Sequence, residues 1–207
     1  MRYLPAVFVL SVSAVCVACS GGSTPVSPSS SSTSPLTGDP TIGFNGLSGL
    51  PCSGPPKVPA SPSCVVHSYT ESGVTVTATS GEWSVRTDYG HPAPFIEFYV
   101  PCVGTPCATP ATPGIGTVQV TAGGATFSFK SVHLYASLVP IPYQITGLRN
   151  SATVFTITNT QPNTFGDFAT VVNPQATAVI DTLVISLTDG LSAMGLDNIV
   201  IAANQGT

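Results

Sequence analysis

The segment MGLDNIVIAA (194–203) places one carboxylate, Asp197, inside a run that is otherwise almost wholly apolar. On an extended strand Asp197 shares its alternation parity with Ile199 and Ile201, so its side chain is expected on their face. An ionised carboxylate there needs a partner, because an isolated buried charge is too costly to keep. AVIDTLVISL (178–187) poses the same problem with Asp181, which is in step with Leu183, Ile185 and Leu187. For both residues the ordinary alternative is a strand-end group that accepts backbone N–H bonds, as Asp does routinely in turns.

A second group of residues suits recognition. SGEWSVRTDYG (80–90) holds the only Trp, Trp83, close to Arg86, Asp88 and Tyr89, and QPNTFGDF (161–168) adds Asn163 and Phe165. Aromatic faces stack sugar rings, while planar polar groups bond their hydroxyls. The competing expectations are that Trp83 fills the core and that Arg86 and Asp88 form a weak surface ion pair.

Signs of catalysis are missing from the sequence. His67, His91 and His133 stand in unrelated contexts, and the acidic residues are too scattered to nominate a glycosidase pair. No G-x-S-x-G and no Gly-rich phosphate loop followed by a helix is present. The expectation is therefore a non-catalytic protein, with a hydrolase assembled from loops as the remaining alternative. The five Lys/Arg are scattered and the net charge is −4, so no basic stripe exists and nucleic acid is excluded as a partner.

Positioning these residues falls to strands. The chain is rich in Gly, Pro, Ser, Thr and Val, a mixture that favours short strands and turns. Alternating or β-branched runs recur at 41–47, 73–79, 95–100, 116–122, 125–137, 143–147, 152–160, 168–172, 178–187 and 195–202. In 125–137 the apolar parity switches from Phe127 and Phe129 to Val132 and Leu134, which predicts a β-bulge near Lys130 or Ser131. Gly123-Gly124 marks a hairpin turn between two strands. Eight to ten strands over about 160 residues predict an all-β fold, a jelly-roll sandwich of two antiparallel sheets.

The amino terminus, MRYLPAVFVLSVSAVCVAC, has one positive charge, an apolar stretch and a small residue at Ala18, the anatomy of a secretory signal. CVAC followed by SGGS resembles a bacterial lipobox with Cys19 as the acylated residue, although Cys16 stands where that pattern usually has Leu. Ordinary cleavage near Ala18 is the alternative, leaving a secreted protein. Loss of Arg2 with the signal takes the net charge from −4 to −5. Residues 20–40 are Ser/Pro/Thr-rich and unable to bury a core. The expected organisation is a signal peptide (1–18), a flexible tether (19–40), a β-sandwich domain (41–203) and a short tail (204–207).

Four cysteines remain in the domain. An even count in an exported chain favours disulfides, and the two local pairings, Cys52–Cys64 and Cys102–Cys107, are expected over the other connectivities. Zinc is the alternative, but no His or Cys sits at finger spacing.

The series TIGFNGL, YTESGVTVTATSGEW, GGATFSFKSVHLYAS, IDTLVISL and GLDNIVI resembles a group of uncharacterised bacterial exported β-sandwich lipoproteins. More distantly it is similar to galactose-binding-like jelly rolls, which include carbohydrate-binding modules and MAM-type adhesion domains. The resemblance implies that the first and last strands are neighbours with a structural Ca²⁺ near them. It further implies a ligand set of Asp197, Asn45 and Glu71, with backbone carbonyls completing an oxygen shell. Relatives carry an acid where this chain has Asn45, which weakens such a site. The function implied is a non-catalytic lipoprotein of the cell envelope, anchored in a membrane through Cys19 and recognising a glycan or another envelope ligand. The rival is a structural or adhesive surface protein that makes protein contacts without a small-molecule site.

Overall fold

The computed structural model describes residues 36–52, 61–88, 91, 93–98, 114–136, 140–164, 167–189 and 194–204. Among these, twelve strands follow in order: β1 (Thr41–Ile42), β2 (Ser68–Glu71), β3 (Val74–Ser80), β4 (Trp83–Arg86), β5 (Phe95–Phe98) and β6 (Gly114–Thr121). Then come β7 (Phe127–Ala136), β8 (Ile141–Arg149), β9 (Ala152–Gln161), β10 (Ala169–Val172), β11 (Thr182–Asp189) and β12 (Met194–Ala203). A front sheet has the order β10-β7-β12-β5-β4, with β1 beside β12, and a back sheet the order β2-β3-β6-β11-β8-β9.

The eight strands β5 to β12 fall in the front, back, front, back, back, front, back and front sheets in turn. That alternation, with antiparallel neighbours throughout, is the double Greek key of a jelly roll. It makes the last strand a central one, between β7 and β5, and β1 pairs with it through Thr41↔Val200 and Ile42↔Ile199. Alternating apolar residues of the two sheets interdigitate to form the core, with Val118, Val120, Leu183 and Ile185 from the back and Phe129, Leu134, Leu196 and Ile201 from the front.

Register shifts in the β7–β12 pair place one extra residue in β7 at Lys130, where the parity switch predicted a bulge. A second lies in β12 at Asn198, whose φ is +44°. The Gly123-Gly124 turn closes as expected, with Ala125 N–H donating to the Ala122 carbonyl and both glycines at positive φ. It does not join a hairpin, because β6 and β7 leave it for opposite sheets.

The run expected at 41–47 is a strand only as far as Ile42; Phe44 at φ +56° turns the chain into a 3₁₀ turn at Asn45–Leu47. β2 and β4 were not anticipated, being four residues each and rich in polar side chains. The boundary at Thr41 moves earlier: Leu36 is buried, and the Pro40 and Gly38 carbonyls accept from Ile201 and Ala203. Cys52 and Cys64 are disulfide-bonded, as their spacing suggested. Cys19, Cys102 and Cys107 lie outside the described residues.

Candidate cation site where the chain begins and ends

Just past Ile42 the backbone leaves the front sheet, freeing two N–H groups. Both, from Gly43 and Phe44, donate to Glu71 Oε2 at 2.9 and 3.0 Å. Glu71 ends β2 at the edge of the back sheet, so one carboxylate fastens the start of the front sheet to the back one. Tyr69, two residues earlier and so on the same side of the strand, accepts the Gly46 N–H at 3.0 Å and packs its ring 5.3 Å from that of Phe44.

Asp197 reaches this point from β12. It is 1% exposed, and its Oδ1 has no hydrogen-bond partner among the described residues. Burial is the main reason its carboxyl is pushed up to about 7; the negative charge of Glu71 adds to the rise, and the Asn198 N–H opposes it. The expectation that Asp197 faces the same way as Ile199 and Ile201 fails at the Asn198 bulge. Leu196 and Ile199 are both core residues, while Asp197 stands opposite His133.

Two amides complete the cluster. A Cβ on Gly43 would lie 3.0 Å from Asn45 Nδ2 and 3.2 Å from Asn198 Oδ1, so both side chains converge where only glycine leaves room. Asn198 Nδ2 lies 3.2 Å from His133 Nδ1, the amide donating and the ring accepting. Burial lowers the His133 pKa, which favours the uncharged ring that role requires. The contact turns the amide oxygen of Asn198 towards Gly43. Asn198 was missed as a site residue; its signal was a second polar residue at the one point where the apolar strand is interrupted.

Two carboxylates, one with a buried oxygen that no described group bonds, meet two amide side chains here, Asn198 presenting its oxygen and Asn45 its nitrogen; with the Asn45 amide turned over, the four would offer oxygens of the kind Ca²⁺ takes. The three residues nominated from sequence, Asp197, Glu71 and Asn45, are thus brought together. No cluster of three or more His, Cys, Asp or Glu that could hold a metal ion occurs among the described residues, so any cation here would rest on two carboxylates and neutral oxygens.

The proposed recognition residues separate instead. Trp83 is 1% exposed, packs 5.6 Å from Phe98 and donates its indole N–H to the Ser80 carbonyl. A ring enclosed this way offers no face to a sugar, which corrects its assignment as a stacking platform. A cleft of about 320 Å³ touches Trp83 but is lined otherwise by residues 65–67 and 78–82. Arg86 is buried as well, 3.5 Å from Glu97 and 3.7 Å from Asp88, so the expected surface pair is mainly an internal one with an acid the sequence reading passed over. Asn163 is half-buried in another loop; Tyr89 and Phe165 lie outside the described residues. Asp181 serves as a strand-end acceptor, bonded by the Asn150 N–H and the Thr182 hydroxyl, and its pKa is lowered chiefly by the former. His67 and His91 are exposed.

No protein-family model matches the chain, and no curated protein does. Among solved structures it is similar to a DUF4465 family protein from Bacteroides caccae, with 10% identity and a TM-score of 0.47 over 81% of this chain and 100% of that one. It is also similar to the enzymatically active domain of bacteriophage CBA120 tailspike protein 4, with 12% identity and a TM-score of 0.38 over 64% of this chain and 19% of that one. A third likeness is to Arthrobacter globiformis isomalto-dextranase complexed with panose, with 14% identity and a TM-score of 0.31 over 62% of this chain and 23% of that one.

Proposed function

We propose that the chain is a non-catalytic recognition protein of the cell envelope, exported, held to a membrane by acylated Cys19, and presenting a jelly roll whose first and last strands are locked by Ca²⁺. The carrying observation is how the acids are used. Glu71 holds two backbone N–H groups, Asp181 holds Asn150, and Glu97 and Asp88 flank Arg86. These carboxylates build a scaffold, which leaves binding as the task the fold serves best. Asp197 is buried with an oxygen, Oδ1, that no described group bonds.

In this reading Asp197, Glu71, Asn45 and Asn198 would hold the cation, which when bound would neutralise two like charges and tie β12, β2 and the turn after β1 together. The ligand is a glycan or another envelope polymer. Retention of the mature protein on immobilised polysaccharides tests recognition, and mass spectrometry of the mature amino terminus tests the anchor, where an unmodified Cys19 would refute it. Turnover of any glycoside in a matched panel would replace binding with hydrolysis.

One observation favours the adhesive reading as well. β9 is a ten-residue edge strand, largely exposed and free of charge and proline, and such edges accept added strands. Partner capture without polysaccharide retention would support that alternative.

A further inference from the structure

The outer face of the back sheet is rich in hydroxyl groups, set among Gln119, Gln144 and a few apolar side chains such as Val184, Ile115 and Val154. Cross-strand register aligns Thr70, Thr75, Thr121 and Thr182 in one rank across β2, β3, β6 and β11. A second rank runs Ser68, Thr77 and Gln119, then through Val184 to Thr146 and Thr156. A third includes Thr117, Ser186, Gln144 and Thr158. Side-chain contacts confirm the shared face: Thr70 and Thr75 hydroxyls lie 3.0 Å apart, and Thr117 and Ser186 hydroxyls 3.1 Å apart. All these side chains are half-exposed or exposed.

None of these ranks contains a charged residue; those of the back strands, Glu71, Arg149 and Asp189, stand at strand ends. A solvated sheet face ordinarily carries interspersed charges. Low overall charge explains part of this, but the front sheet, built from the same chain, buries Arg86, Glu97 and Asp197. Neutral hydroxyls cost far less to desolvate than charges, and each keeps acceptor capacity after one cross-strand bond.

We infer that this hydroxyl face binds an uncharged polysaccharide chain, and the inference rests on the recognition function proposed above. The charge match selects the partner: a face without charge gives no advantage to an anionic polymer, whereas a neutral polyol returns every hydrogen bond the face gives up. Strands spaced about 4.8 Å apart place the ends of the first rank about 14 Å apart, room for a short run of sugars. The methyl groups of the Thr ladder supply apolar contact between the hydroxyls. Sheet twist, some 20° per strand, suits a single chain laid across the ranks better than a flat crystal surface.

The test measures affinity of the mature full chain for soluble amylose, laminarin and xyloglucan, with alginate as the anionic comparison, from about 0.1 to about 1 M salt. Three variants are compared: the triple change Thr75→Val, Thr121→Val and Thr182→Val, which keeps shape and strand preference; Thr121→Lys; and Val172→Ser on the exposed edge of the front sheet. Expected are salt-insensitive retention by a neutral polymer, at least tenfold weaker in the triple variant, lost in Thr121→Lys and unchanged in Val172→Ser. Undiminished binding by the triple variant overturns the face while leaving recognition intact. Preference for alginate that fades with salt overturns the neutral-ligand assignment. Failure of the unaltered chain to bind any of the four polymers overturns the recognition function, and the inference with it.

Discussion

The two outer faces of this sandwich use polar residues in opposite ways. On the front sheet every residue of β5 is buried, Phe95 packs edge-on against Phe168 at 5.1 Å, and Tyr135 meets the same ring at 5.7 Å. The same sheet buries the Arg86–Glu97 pair. The back sheet instead alternates buried and half-exposed residues along β6, β8 and β11, the ordinary signature of a sheet with one wet face. With five basic and nine acidic residues in 207, the chain spends several of its charges as internal fasteners and leaves the back of the molecule to hydroxyls. Charge here is a structural material, and the back face is left neutral.

The sharpest way to break that comparison is Glu97→Ala. Removing the acid takes away the buried partner of the Arg86 guanidinium and leaves the more exposed Asp88 at 3.7 Å, so denaturant titration should show a loss of about 3 kcal/mol, at the lower end for a broken buried pair. Replacing both residues by apolar side chains of similar volume should recover much of it. If Glu97→Ala cost no more than a surface change, the front charges would not be fasteners.

Next in size is the response to Ca²⁺. A site of the extracellular type, with a dissociation constant of about 10⁻⁴ M, should stabilise the chain by about 2.7 kcal/mol at a hundredfold excess. Scanning calorimetry should then show a Tm rise of roughly 5–10 °C, reversed by chelator. Asp197→Asn should abolish that rise, yet match or exceed the unaltered protein in chelator, because it removes a buried charge. A Tm indifferent to chelator in the unaltered protein would refute the site.

Asp181 gives a smaller effect with a defined sign. Its folded pKa is lowered by the Asn150 N–H, so its contribution is present above the unfolded carboxylate range and is lost as pH falls through the folded value. Asp181→Asn should therefore flatten the acid limb of a stability-versus-pH curve and leave its slope near neutrality unchanged. A steeper acid limb in the variant would contradict this. The smallest effect belongs to the back face: Thr121→Val should move stability by less than about 0.5 kcal/mol. A larger loss in denaturant would mean that the hydroxyl ranks hold the fold instead of serving a partner.

Much of the architecture was legible from local pattern. The bulge at Lys130 followed from one switch in apolar parity, and the Cys52–Cys64 bond from loop closure. The oddity of Asp197 was visible too, but its direction was not, because a second bulge at Asn198 left no mark on the alternation already interrupted by two polar residues. Arg86 does pair with its sequence neighbour Asp88, at 3.7 Å. Its buried partner, Glu97, lies diagonally across the β4–β5 pair, where Arg86 faces Phe95 and Ser84 faces Glu97. For Trp83 the nearby polar residues suggest a display site and its bulk a place in the core; its strand position decides for the core by turning the ring inward onto Phe98.

By itself the sequence determined strand content, turn positions, the number of layers and the scarcity of charge, because period-two alternation and turn chemistry act over a few residues. Only the tertiary structure decided which carboxylates meet, which aromatic is enclosed and which face stays bare. Those outcomes depend on register between strands far apart in the chain, and a one-residue slip sends every side chain to the other face.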